Sequence, residues 1–192
     1  MKKHKNKSKI AAFPGAFDPF HNGQLDVLLK AINHYHFQVF IIPLIIFNES
    51  EKQTTRFTLQ ERVEIIKNVL RINRLEEKVS IKILSKDRGC LKSSIRQFIR
   101  EEKINFIIRG KRPNNYKNEL LKKESIEEEF GIKVFLIKSS KENENISSSS
   151  IKEELNSGRG INGINKLVTK EVKEKIKDFI KNKIKISAPD SS

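Results

Sequence analysis

Short apolar runs alternate with stretches of helical periodicity along most of the chain, which predicts strand–helix–strand units on a parallel sheet. Strands are expected at residues 9–13, 38–47, 79–84, 105–109 and 133–137, with helices at 24–33, 59–70, 91–102 and 117–130 between them. The second helix is the best signalled. Thr58 and Glu61 are spaced for a capping box, and Leu59, Val63, Ile66, Val69 and Leu70 recur at helical spacing. The third carries Leu91, Ile95, Phe98 and Ile99 on one face. A serine run at residues 147–150 opens a further helix to about residue 156. Val172, Ile176, Phe179 and Ile180 are spaced for a lysine-studded terminal helix over residues 170–183. Residues 48–56 and 139–145 read as polar loops, and residues 1–8 and 187–192 as disordered ends. With no repeat and no linker, one domain over residues 9–186 is expected. Its class is α/β: a Rossmann-like, doubly wound, parallel five-stranded sheet with flanking helices and a C-terminal helical segment.

Composition narrows the kind of molecule. At 192 residues the chain can bury a sizeable core. Its longest apolar stretch, residues 39–47, is of strand length and broken by Pro43, so no membrane span is expected. Residues 1–9 are basic but are not followed by the apolar core of a signal peptide. The single cysteine, Cys90, excludes an internal disulfide and suits a reducing, cytoplasmic setting. A net charge of +15 raises the prospect of a nucleic-acid partner. Against it, the lysines are spread along the chain among Glu and Asn, and no RNA-binding signature with stacking aromatics occurs. Solvated helix faces around a site for anionic nucleotides are the simpler reading.

Ligands of a doubly wound sheet sit beyond the carboxyl ends of the strands, so phosphate-holding residues should follow strands. They do. The first strand runs into Pro14-Gly15-Ala16-Phe17-Asp18-Pro19-Phe20-His21-Asn22-Gly23-Gln24, a turn, a histidine, and a glycine opening an amphipathic helix. That layout aims backbone N–H groups and an imidazole at one point, which suits phosphate. The fourth strand ends in Arg109-Gly110-Lys111-Arg112, two guanidiniums able to bind phosphate in bidentate fashion around a glycine that permits close approach. A solvated basic strand end is the plainer alternative. Ser147, Ser148 and Ser149 put hydroxyls at a helix N-terminus, where such runs most often serve only as caps. His4, His34 and His36 lack comparable context and read as surface residues. No cluster has zinc-ligand spacing, no Ser–His–Asp arrangement is marked, and no Walker-type loop is present.

In their order along the chain these segments resemble the HxGH nucleotidyltransferases. Gly15, Phe17, Asp18, Pro19, His21 and Gly23 fit the first signature, and Gln24 stands where that family has its second histidine. Within the superfamily the chain looks most like bacterial phosphopantetheine adenylyltransferase, with Ala16 in place of the usual threonine. Arg109-Gly110-Lys111-Arg112 is similar to that family's R-G-[LV]-R motif. Ile146-Ser147-Ser148-Ser149-Ser150-Ile151-Lys152 resembles its I-S-S-[ST]-x-[VI]-[KR] signature, and Phe57-Thr58-Leu59-Gln60-Glu61-Arg62-Val63 its Phe-[ST]-Leu-x-x-Arg-Val run. Leu167, Val168 and Val172 resemble its ending, with Thr169 replacing proline.

The resemblance implies attack of the 4′-phosphate of phosphopantetheine on the α-phosphorus of ATP, giving dephospho-coenzyme A and pyrophosphate without a covalent enzyme intermediate. It implies Mg2+ with the ATP, and a homo-oligomer, hexameric in that family. His21, Gln24 and Arg109 would be the catalytic groups. Ala16, Phe17, His21, Gln24, Gly110, Lys111, Arg112, Glu119, Ser147, Ser148 and Ser149 would meet ATP, and Ala16, Lys52, Ile95 and Arg109 the acceptor. Glu119 is carried over from Tyr116-Lys117-Asn118-Glu119, one residue shorter than the corresponding segment of the family. Lys52 follows Asn48 in a longer loop and is equally read as a solvated lysine. Two alternatives stand beside this one: nicotinate-mononucleotide adenylyltransferase, which His21 favours, and a degenerate nucleotide-binding module without turnover. The second arises because Gln24 cannot become cationic and Ala16 lacks a hydroxyl. Loss of one placed donor commonly slows a reaction by about 10²–10³.

Overall fold

The computed structural model describes residues 9–43, 56–83, 91–111 and 116–187. Strands β1 (Lys9–Gly15), β2 (Phe37–Pro43), β3 (Val79–Ile81), β4 (Phe106–Lys111) and β5 (Lys133–Lys138) form one sheet in the order β3-β2-β1-β4-β5, and all its pairings are parallel. Helices α1 (Asn22–Asn33), α2 (Leu59–Ile72), α3 (Leu91–Glu101) and α4 (Tyr116–Phe130) connect successive strands. After β5 come α5 (Ser148–Asn156), a 3-10 turn at Gly160–Asn162, and α6 (Lys170–Ser187). The doubly wound class expected from the apolar pattern is what forms.

Strand order decides the faces. From β1 the chain moves one way to β2 and β3, then crosses back to β4 and on to β5. Right-handed crossovers then put α1 and α2 on one face and α3 and α4 on the other. Strand side chains divide accordingly with period two. Ala11 and Phe13 pack with Leu28 of α1, Ile66 of α2, Ile151 of α5 and Ile176 of α6. Ala12 points the other way, toward Phe98 of α3 and the strand residues Ile107 and Val134. With both faces covered, the inner strands need apolar residues at nearly every position, which is why they read as continuous apolar runs.

Several element ends differ from expectation. β4 does not stop at Arg109 but continues through Gly110 and Lys111, paired with Ile137 and Lys138 of β5. The basic run therefore begins as strand backbone, because β5 supplies hydrogen-bond partners past the point where the apolar pattern stops. β3 ends at Ile81, short of the expected 84, although the Lys82 N–H still reaches the Ile41 carbonyl at 2.9 Å. Residues 44–47, expected as the end of β2, lie outside the described residues, as do Leu84, Cys90 and His4. α1 begins at Asn22 rather than at 24, with His21 as its cap, and α6 reaches Ser187, one residue into the expected tail.

α2 and α3 close with the same C-terminal motif. The Leu75 N–H bonds the Leu70 carbonyl and the Arg74 N–H that of Arg71, and the Ile104 and Lys103 N–H groups do the same with Ile99 and Arg100. The motif puts Arg74 and Lys103 at φ 53, left-handed positions where glycine is usual. Both side chains are exposed, so Arg74→Gly and Lys103→Gly are each expected to raise stability by about 1 kcal/mol in urea unfolding.

Candidate active site

The first loop is held by buried charge. Phe17 sits at φ 48, sparsely populated for a bulky residue, and such strain is commonly found at working sites. Its fully buried ring lies edge-on to Phe13 and stacks on Phe20, with centroids 5.4 and 5.6 Å apart. A Cβ on Gly15 would meet that ring at 3.0 Å, so glycine is what lets Phe17 fold back over the end of β1. Asp18, 1% exposed, accepts the N–H groups of Arg56 and Phe57 at 2.8 and 2.9 Å, and Lys152 Nζ lies 3.5 Å away. Arg62, fully buried, donates to the Ala16 carbonyl. Burial pushes its guanidinium below the ordinary value while Asp18 pulls it back. Asp18 and Arg62 thus tie residues 16–21 to the start of α2.

His21 is buried and caps α1. Its carbonyl accepts the Gln24 and Leu25 N–H groups at 2.9 and 3.0 Å, and its own N–H donates to Gln24 Oε1 at 3.2 Å. A donor can be met only by an acceptor, so this bond sets the sense of the Gln24 amide and leaves Nε2 as its other end. Gln24 occupies the third helical position of a capping box, where Glu or Gln is the favoured residue. A Cβ on Gly23 would lie 2.8 Å from the Asn143 carbonyl oxygen, so this glycine admits the loop after β5 onto the first turn of α1.

Asp26 fastens that loop, accepting the Ser140 N–H at 3.0 Å, the Ser140 hydroxyl, and Asn143 Nδ2 at 2.9 Å. Burial alone would raise its carboxyl, but the Ser140 and Asn143 donors, with Lys30 nearby, carry it below the ordinary value of 3.8. A depressed folded value contributes stability that is complete above 3.8 and is lost as pH falls through the lowered value. Asp26→Asn is therefore expected to cost about 1–2 kcal/mol at neutral pH. Its penalty should shrink as the medium is acidified below 3.8, as read by urea unfolding at several pH values.

A cavity of about 540 Å³ opens over the carboxyl ends of β1 and β4, where the strand order reverses. Ala16, Phe17, His21 and Gln24 line it from the first loop, Arg109, Gly110 and Lys111 from β4, Ile95 from α3, and Ser147, Ser148 and Ser149 from the start of α5. These residues are far apart in the chain and meet at one hollow. Ser147 caps α5 by accepting the Ser150 N–H at 3.0 Å, and the Ser148 hydroxyl donates to the Pro19 carbonyl at 3.2 Å, seating α5 on the first loop. A Cβ on Gly110 would meet only Val27, at 3.7 Å, so the protein's own packing does not require glycine there. Arg112 and Lys52 lie outside the described residues, as does the side chain of Glu119. His34 and His36 are exposed, as expected.

Two walls of the cavity were not foreseen as such. One is an apolar slot between the sheet and helices α3 and α4, formed by Ile42, Phe98, Ile99, Ile107, Ile126 and Phe130. The apolar face of α3 was visible in the sequence, but the same spacing serves a closed core and an open slot alike. The other is Ser139, Asn143 and Glu144 in the loop after β5, which polar composition marked only as loop. No helix among the described residues is long and apolar enough to cross a membrane.

The cytidylyltransferase-like family matches residues 12–154 of this chain. A phosphopantetheine adenylyltransferase of Syntrophus aciditrophicus is 34% identical over 104 residues, 54% of this chain and 54% of that one, so the match spans about half of that relative. One from Frankia casuarinae is 26% identical over 168 residues, covering 86% of this chain and 97% of the relative. Among solved structures, Plasmodium falciparum nicotinic acid mononucleotide adenylyltransferase complexed with NaAD superposes with a TM-score of 0.65 at 17% identity, covering 90% of this chain and 96% of that one. At that identity the likeness is one of fold.

Proposed function

We propose that this chain, which belongs to the cytidylyltransferase-like family and is a nucleotidyltransferase, moves the adenylyl group of ATP onto the phosphate of 4′-phosphopantetheine. The observation that carries the choice of acceptor is the cavity's division into a polar, cationic rim and an apolar slot. The rim suits two anions side by side, a triphosphate and an acceptor phosphate. The slot suits a long, uncharged arm attached to the second of them, better than it would suit a carboxylate-bearing pyridine. The names of the curated relatives point the same way.

On this reading an acceptor phosphate oxygen attacks the α-phosphorus, the bond to the bridging oxygen of pyrophosphate breaks, and pyrophosphate leaves with the electron pair. The protein aligns the reactants and supplies donors where charge develops. Arg109 holds the acceptor phosphate, His21 and the Gln24 amide N–H face the transferring group, and Ser147, Ser148 and Ser149 with the first turn of α5 hold the triphosphate. Among the described residues no group of three or more His, Cys, Asp and Glu could hold a metal ion. Magnesium would come with the nucleotide's phosphates, where it would offset charge on the departing pyrophosphate.

The test is pyrophosphate release from ATP with phosphopantetheine or nicotinate mononucleotide as acceptor, each product identified by mass. Dephospho-coenzyme A as the main product supports the proposal. The dinucleotide from nicotinate mononucleotide would reassign the acceptor, and release with neither would leave a nucleotide-binding module.

A further inference from the structure

The end of α6 lies far along the chain from the cavity, yet it grips the segment that anchors the first loop. Lys183 Nζ donates to the Arg56 carbonyl at 3.2 Å, pairs with Glu61 Oε2 at 3.0 Å, and lies 5.3 Å from the centroid of the Phe57 ring. Phe179, one turn earlier, brings its ring to 6.5 Å from that of Phe57. Glu61 Oε2 also accepts the Thr58 N–H at 2.7 Å, closing the capping box of α2. From the α5 side, Asn156 accepts from the Arg56 guanidinium.

The Arg56 carbonyl and the Phe57 N–H belong to one peptide group. Its oxygen takes Lys183, and its N–H goes to Asp18 Oδ1 at 2.9 Å. A cation on the carbonyl side polarises the peptide and strengthens the bond its N–H makes on the other side. Asp18 is the buried residue that fixes the loop between Phe17 and His21, both of which line the cavity. The Ser147–Ser149 turn is seated on the same loop by the bond of the Ser148 hydroxyl to the Pro19 carbonyl.

From this we infer that Lys183 is a positioning residue for residues 16–21, acting through the Arg56–Phe57 peptide group and Asp18. Its kinetic consequence rests on the nucleotidyl-transfer reading above; its structural consequence does not. Lys183 is half-exposed, so replacing it leaves no buried cavity and the variants are expected to fold.

The test compares the full-length parent with Lys183→Met and Lys183→Arg. In Lys183→Met, hydrogen exchange of the Phe57 amide should quicken about tenfold, with amides in the middle of β1 unchanged. Turnover should fall about three- to tenfold, because the loop that carries Phe17 and His21 into the cavity is loosened. Lys183→Arg, which keeps the charge and the donors, should restore both. Unchanged protection of Phe57 in Lys183→Met would overturn the relay. Faster exchange with undiminished turnover, or a Lys183→Arg variant that restores neither, would overturn the positioning role. If the parent releases no pyrophosphate, the proposed function fails, while exchange at Phe57 still decides the relay.

Discussion

Gln24→Glu is expected to lower turnover with ATP by at least about 10²-fold without lowering the thermal midpoint. Glutamate serves the third position of a capping box as well as glutamine does, since either side chain accepts the His21 N–H. Its charge also suits the first turn of a helix. What changes is the end of the side chain left for the cavity, from an amide donor to a carboxylate. Loss of one well-placed donor commonly costs about 10²–10³ in rate. Two like charges about 5 Å apart add roughly 3 kcal/mol of repulsion at an effective dielectric of about 20. Activity and thermal melting of the same preparation separate the two roles of the residue. Undiminished turnover would mean that the amide of Gln24 does not face the phosphates. The companion variant Gln24→His should raise turnover and introduce a pH limb in the imidazole range, since it replaces a neutral donor by one that can be cationic.

Arg109→Ala is expected to reduce kcat/KM for the acceptor by about 10²–10³ while the dissociation constant of ATP changes little. The backbone of residue 109 is paired to Leu136 of β5, so truncating the side chain leaves the strand in register. A guanidinium that grips a phosphate through two charge-assisted bonds contributes about 3–4 kcal/mol when both are lost. On the nucleotide side Lys111 and the Ser147–Ser149 turn remain. Steady-state kinetics against each substrate, with calorimetry for ATP alone, read the split. Equal losses for both substrates would place Arg109 on the triphosphate instead. The two substitutions probe opposite ends of the transferring group, Gln24→Glu the central donors and Arg109→Ala the incoming anion.

Much of the architecture is legible in local pattern. The capping box of α2 forms as its spacing requires, with Thr58 Oγ1 accepting the Glu61 N–H at 3.2 Å and Glu61 returning the bond. The serine run caps α5 for the same reason: a helix start needs acceptors within one turn, and that need is met by neighbours in sequence. Ends of strands were less legible. The continuation of β4 through Lys111 depends on β5 beside it, which is no property of the residues 109–111 themselves.

Apolar period and short-range capping, read along one strand of text, were enough to establish an α/β sheet, its helices and the segments from which a phosphate site would be drawn. Those features arise from contacts between residues a few positions apart or from burial of one face, so composition and spacing encode them. Only the folded molecule decided which distant groups touch: Asp18 with Phe57, Gly23 with the Asn143 carbonyl, Asp26 with Ser140, Lys183 with Arg56. It also decided that the apolar face of α3 both packs in the core, through Phe98, and borders the cavity. Such contacts follow from how helices pack across the sheet, a sum over the whole core that no local window contains.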